Sequence, residues 1–124
     1  MKRQRIYLDT SVIGGCLDDE FAPWSNGLYQ VFREGHFVPV VSHLVAAELV
    51  LAPQPVQAKY QELLDFESEM LGESPEASAL AAKYGEHRML PKSFTADGLH
   101  IALATVAAVD ILVSWKLQAH RAVR

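Results

Sequence analysis

The sequence predicts an α/β fold with a parallel sheet covered by helices on both faces. Three observations carry that expectation. Short apolar runs recur at Ile6-Tyr7-Leu8, Phe37-Val38-Pro39-Val40-Val41 and Ile111-Leu112-Val113. Helix-like segments separate them, and strands joined through helices imply right-handed crossovers in a parallel sheet. The first run stops on a carboxylate, Asp9, which passes at once into Thr10-Ser11-Val12-Ile13-Gly14-Gly15. In open α/β sheets, chemistry collects outside the carboxyl ends of the strands.

The elements follow in order. Gly14-Gly15 breaks the turn after the first strand. Trp24-Ser25-Asn26-Gly27 is expected to open a helix capped by Ser25, with Leu28, Val31 and Phe32 on one face and Gly35 ending it. Pro39 would disrupt a central ladder, so the second strand should carry it at an edge or at its start. Ser42 is expected to cap a helix from about His43 to Leu51, closed off by Pro53 and Pro55. A longer amphipathic helix is expected from Val56 to Met70, stopped at Gly72. Ser74-Pro75 is a cap followed by proline, opening a helix through Tyr84 that Gly85 stops. His87 to Ser93 reads as a loop. Thr95 caps a buried helix, Ala96 to Ala108, and Asp110 turns the chain into the third strand. Only three strands are evident, so either a fourth lies in the tail or the sheet is small. No repeat or second domain is visible, and residues 1–124 read as one domain.

Composition sets the outer limits. Half of the 124 residues are hydrophobic, enough for one core at this length. The net charge of −4 argues against holding nucleic acid by bulk electrostatics. Basic residues nevertheless gather at both ends, Lys2, Arg3 and Arg5 at one and Lys116, Arg121 and Arg124 at the other. A single cysteine, Cys16, excludes an internal disulfide framework and fits a reducing cytoplasm; it reads as buried filler. The start has no signal-peptide pattern, and no segment is apolar enough for a membrane span.

Four acids stand where function is plausible. Asp9 ends a strand. Glu48 lies in the apolar run Leu44-Val45-Ala46-Ala47-Glu48-Leu49-Val50-Leu51, where an unpaired carboxylate would be costly. Asp97 opens a buried helix, a position that the helix dipole also favours. Asp110 precedes a strand and reads as a turn residue at the opposite edge of the sheet. Asp9, Glu48 and Asp97 together could meet at one rim. Three hard oxygen ligands without His or Cys suit Mg²⁺ or Mn²⁺, and such an ion suits phosphodiester hydrolysis.

The stretch from Ile6 to Gly15 resembles the opening motif of the PIN-domain family. Asp97-Gly98-Leu99-His100-Ile101-Ala102-Leu103-Ala104-Thr105-Val106 and Asp110-Ile111-Leu112-Val113-Ser114-Trp115 are similar to its later motifs. Val41 to Leu49 resembles, more weakly, its second-acid helix. The resemblance covers most of the chain in the right order. It implies an α/β/α three-layer sandwich around a small parallel sheet, with Mg²⁺- or Mn²⁺-dependent ribonuclease activity. It implies RNA as substrate and, as in many bacterial members, a role as the toxin of a toxin–antitoxin pair with an antitoxin protein as partner. Carried over by position, Asp9, Glu48 and Asp97 would be catalytic, metal-binding acids. Thr10 or Ser11 would orient the first acid, and Ser114 and Lys116 would support the site.

One position departs from that pattern. The family usually has an Asp or Asn after the Trp of the last motif, and this chain has Lys116. Three readings stay open: Lys116 replaces the metal and leaves a degenerate binding module, it points away while three acids hold one ion, or it contacts the scissile phosphate. His100 could reach the acidic rim or simply be a hydrogen-bonded histidine at the sheet boundary. His120, Arg121 and Arg124 are candidates for RNA contact. The tail is short for the family, so a C-terminal edge strand is expected to be missing, and a homodimer face is conceivable near Trp24. A phosphoacceptor domain is a remote alternative, since no mid-chain strand ends on an Asp.

Overall fold

The computed structural model describes residues 2–87 and 95–116. Its elements are β1 (Gln4–Leu8), α1 (Thr10–Gly14), a 3-10 turn (Gly15–Leu17), α2 (Ala22–Arg33), β2 (Phe37–Ser42), α3 (His43–Glu48), α4 (Gln54–Asp65), β3 (Glu69–Leu71), α5 (Pro75–Glu86), α6 (Thr95–Val106) and β4 (Ile111–Val113). Among the described residues, four strands make one all-parallel sheet in the order β3-β2-β1-β4. The expected α/β class holds.

Strand alternation explains the layers. Ile6 and Leu8 of β1 and Val41 of β2 turn to one face, where they pack with Val12, Ile13, Tyr29, Phe32, Val45 and Leu63 from α1 to α4. Tyr7 and Val40 turn to the other, against Ala77 of α5 and Ala102, Leu103 and Ala104 of α6. The register places Tyr7 beside Val40 and Leu112 in one row. Side chains one residue apart point to opposite faces of a strand, so each apolar run feeds two cores. Helices on both faces make the three-layer sandwich.

The topology also positions a site. From β1 the chain steps to β2 and then β3 in one direction, with α1 to α4 on one face. It then crosses behind the sheet through α5 and α6 to set β4 on the far side of β1. The order reverses between β1 and β4, and in open α/β sheets the carboxyl ends at such a switch point are where ligands bind. Asp9 and Trp115 stand there.

Several local expectations need correcting. The fourth strand lies in mid-chain: β3 takes residues 69–71, which had been expected to finish a long helix. The helix stops at Asp65 because Phe66 turns extended and packs against Tyr29 and Phe32. Pro55 starts α4 rather than closing α3, and the Gln57 amide caps the carbonyls of Leu49, Val50 and Ala52 between them. Pro39 sits in an interior strand, yet the ladder to β3 begins only at Val40, so at Pro39 that flank has no strand to bond. Helix α2 starts at Ala22, three residues before Ser25, because Asp18 accepts from the amides of Glu20 and Phe21 and organises the turn. Ser25 is buried and bonds Val12 O at 2.7 Å instead of capping. Ser42 sits at the N-cap of α3 without a side-chain cap bond. Gly85 does not stop α5, which runs to Glu86, while Ser74 does cap it, accepting from Ala77 N at 3.1 Å. The expected Thr95 cap and the loop beyond residue 87 lie outside what is described. No described helix is long and apolar enough to cross a membrane.

Candidate functional site

Asp9 is the N-cap of α1. Its Oδ1 accepts from Ser11 N at 3.0 Å and Ser11 Oγ at 2.6 Å, and it is only 2% exposed. The helix cap and the strand-end acid at the switch point are therefore one residue. Ser11 Oγ in turn accepts from Trp115 N at 3.1 Å, so the end of β4 is tied to the first acid. The Asp9 amide donates to Val113 O at 3.3 Å across the switch point.

Trp115 is clamped beyond that. Its indole N–H donates to Ser25 Oγ at 2.8 Å, and its ring stacks on Phe21 with centroids 5.5 Å apart. Gly15 lies beneath it, where a Cβ would meet Ser25 Oγ at 2.6 Å and Trp115 Nε1 at 2.7 Å. Glycine at this position permits the close approach.

Glu48 closes α3 at the rim. Its Oε1 accepts from Thr10 Oγ1 and pairs with His100 Nε2 at 2.9 Å. The carboxylate amid apolar residues is thus paired and partly exposed at the helix end, rather than buried alone. Thr10 serves Glu48, not Asp9; Ser11 orients Asp9. Asp97, 5% exposed in the first turn of α6, has Lys116 Nζ 3.9 Å from its Oδ1. Burial pushes the Asp97 carboxyl above its ordinary range, Lys116 opposes that, and the charges of Asp9 and Glu48 add to it.

His100, expected either to reach the acidic rim or to be a hydrogen-bonded histidine at the sheet boundary, does both; Ser42 was expected only as a helix cap, and Tyr7 only as a strand residue. All three join the site. Tyr7 Oη lies 2.8 Å from Ser42 Oγ and 2.7 Å from His100 Nδ1. Burial drives the Tyr7 phenol upward, so it keeps its proton. The signals were present: Tyr7 is two residues before Asp9 on a strand, Ser42 ends the neighbouring strand, and His100 is one helical turn after Asp97. Ser114 lies half-buried between Val113 and Trp115 at the end of β4. His120, Arg121 and Arg124 lie outside the described residues.

The fit of a divalent cation can be tested on these side chains. In its favour are three hard oxygen donors and a buried Asp97 whose charge is disfavoured by the other two acids. Against it, no three His, Cys, Asp or Glu side chains among the described residues are drawn together closely enough to hold an ion. The donor set fits in kind, and the side chains would have to draw in to close on an ion.

This chain is similar in fold to VapBC2 from Rickettsia felis. The match is to a crystal structure of that complex bound to a DNA fragment from their promoter, with TM-score 0.62 and 16% identity, over 89% of this chain and 86% of that one. FitAcB from Neisseria gonorrhoeae matches at TM-score 0.52 and 21% identity, over 86% and 84% of the two chains. No family model and no curated protein matches the sequence. Likeness at these identities is likeness of fold.

Proposed function

We propose that this chain is a metal-dependent ribonuclease of PIN type, acting as the toxin of a toxin–antitoxin pair. The observation that supports the reading is a buried Asp97, paired with Lys116, whose carboxyl also feels the charges of Asp9 and Glu48. Folding that brings like charges together gains nothing in stability, so a ligand is the better reason for them. The fold likeness to VapBC2 and FitAcB supports a toxin–antitoxin role, with a protein as partner.

Asp9, Glu48 and Asp97 would hold Mg²⁺ or Mn²⁺. When bound, the ion supplies charge for the phosphate and a more acidic water. Ser11 keeps the Asp9 carboxylate in one orientation, and Trp115 keeps Ser11. Thr10 ties Glu48 to the turn that carries Asp9. Lys116, well exposed, offers an ammonium beside Asp97 that can meet a phosphate of RNA. His120, Arg121 and Arg124 are proposed to continue that contact along the tail.

Asp9→Asn tests the reading on RNA in the presence of Mn²⁺. Cleavage should fall by more than the roughly 10–100-fold that loss of an outer hydrogen bond costs a metal site. Unchanged metal-dependent cleavage by Asp9→Asn would refute the assignment.

One observation favours a second reading. Lys116 already stands 3.9 Å from Asp97 as an internal cation. A degenerate binding module with Lys116 in the metal's place would give no Mn²⁺ binding by calorimetry, and Lys116→Asp would restore it. Strong Mn²⁺ binding by the unaltered protein excludes that reading.

A further inference from the structure

We propose that His100, braced by Tyr7, is the positioning residue that aims Glu48 into the acidic rim. The inference rests on the metal-site reading above and names what arranges its second acid.

Glu48 is the most exposed of the three acids. Asp9 and Asp97 are almost wholly buried, whereas the Glu48 side chain is 31% exposed at the end of a six-residue helix. Its backbone leaves it several rotamers, so something else must choose one. His100 is 3% exposed and Tyr7 fully buried, and neither ring has room to swing. Both imidazole nitrogens are engaged, Nδ1 with Tyr7 Oη at 2.7 Å and Nε2 with Glu48 Oε1 at 2.9 Å.

The proton order follows from the chemistry of each group. The phenol hydroxyl has one proton to give, and it faces both Ser42 Oγ and His100 Nδ1. With that proton donated to Nδ1, the Ser42 hydroxyl donates to Tyr7 Oη, and Nε2–H donates to Glu48. Every group in the chain Ser42–Tyr7–His100–Glu48 is then satisfied, and the imidazole presents a donor to the carboxylate.

Two features point to placement of Glu48 rather than simple core packing. First, among the described residues both hydrogen bonds to Glu48 end on Oε1 and none on Oε2, the oxygen that a ligand would take. Second, each group that holds Glu48 belongs to an element bearing another acid. Thr10 follows Asp9, Tyr7 precedes it by two residues, and His100 lies one turn beyond Asp97. The three acids are thereby set relative to one another. Hydrogen bonds of this outer kind tune metal affinity roughly 10–100-fold.

Calorimetry with Mn²⁺ on the full chain tests the proposal. His100→Leu should weaken Mn²⁺ binding about 10–100-fold. His100→Gln should recover part of the loss, because its amide can donate to Glu48. In a Glu48→Ala background, His100→Leu should cost nothing more. Unchanged affinity in His100→Leu, or equal losses with and without Glu48, overturns the proposal while leaving the metal reading intact. No Mn²⁺ binding by the unaltered protein overturns the metal reading and this one with it. If His100→Leu does not fold, Tyr7→Phe removes only the bracing oxygen; it should weaken Mn²⁺ binding by less, and unchanged affinity there also overturns the proposal. A readout without metal is the ring ¹⁵N spectrum: Nε2 should carry a proton toward Glu48, and an Nε2 without a proton sinks the proposal.

Discussion

The two ends of the sheet treat charge in opposite ways. At the amino end of β1, Arg5 forms a two-pronged pair with Glu69 of β3, at 2.9 and 2.8 Å, and donates to the last carbonyls beyond α6, Ala107 O at 2.8 Å and Ala108 O at 3.3 Å. The Arg5 amide donates to Asp110 Oδ2 at 2.7 Å, and Asp110 N returns a bond to Arg5 O. Opposite charges meet there, and one arginine ties β1, β3 and the β4 entry together. At the carboxyl end, the buried Asp97 feels the charges of Asp9 and Glu48, and among the described residues Lys116 pairs with Asp97 and His100 with Glu48. The contrast separates a lock from the candidate site. One end is arranged to lower the energy of the fold, and the other holds charge that folding alone does not reward.

Breaking the lock should have the largest effect on stability. Arg5→Met removes a bidentate pair and the bonds to two carbonyls, and leaves Glu69 unpartnered at the edge strand. A loss of about 2–3 kcal/mol is expected, read by urea denaturation. Gly15→Ala comes next. Its Cβ has no room beneath Trp115, and overpacking of this kind costs roughly 1–3 kcal/mol. Because Trp115 holds Ser11, and Ser11 holds Asp9, this substitution should also weaken Mn²⁺ binding, which Arg5→Met should leave alone.

The rim itself should respond with the opposite sign. Asp97 titrates above its unfolded value, chiefly through burial. Between those two values the folded protein binds the proton more tightly, so stability falls as pH rises through the interval. Asp97→Asn should remove that fall and melt higher than the unaltered protein at neutral pH. Melting curves from acid to neutral pH check it; a lower melting temperature at neutral pH would show that the rim is not strained by charge. Lys116→Met should be the smallest change. The lysine is 61% exposed, so its pair with Asp97 is worth at most about 0.5 kcal/mol. Its removal should still raise the Asp97 carboxyl further, visible as a shift in the same pH-dependent melts.

Much of this contrast was legible in the residues. Asp9 after Ile6-Tyr7-Leu8 reads as a strand-end acid, and it is one. Asp110 reads as a turn residue at the opposite edge, and it bonds the Arg5 amide there. Ser74-Pro75 reads as a helix start, and Ser74 caps α5. Local chemistry decides such features: a cap needs only its own turn, and an apolar run needs only a face on each side.

Other features depended on partners far along the chain. Glu69-Met70-Leu71 carries no strand pattern of its own, because its pairing comes from β2 and its anchor from Arg5, 64 residues away. Ser25 looks like a cap until Trp115 arrives, 90 residues later, to donate to its oxygen. The role of His100 is invisible without Tyr7 and Glu48, which join it only through the crossing of α6 behind β1.

The sequence by itself determined the α/β class and the strand that ends on Asp9, and it singled out three acids as candidates, because hydrophobic patterning and capping act within a few residues. Only the tertiary structure decided that β4 returns to the far side of β1, which puts the switch point at Asp9. It alone decided that Lys116 faces Asp97 and that a buried Tyr7–His100 pair holds Glu48. Those outcomes depend on which side of the sheet a crossover takes and on which distant groups must satisfy each other's hydrogen bonds once water is excluded.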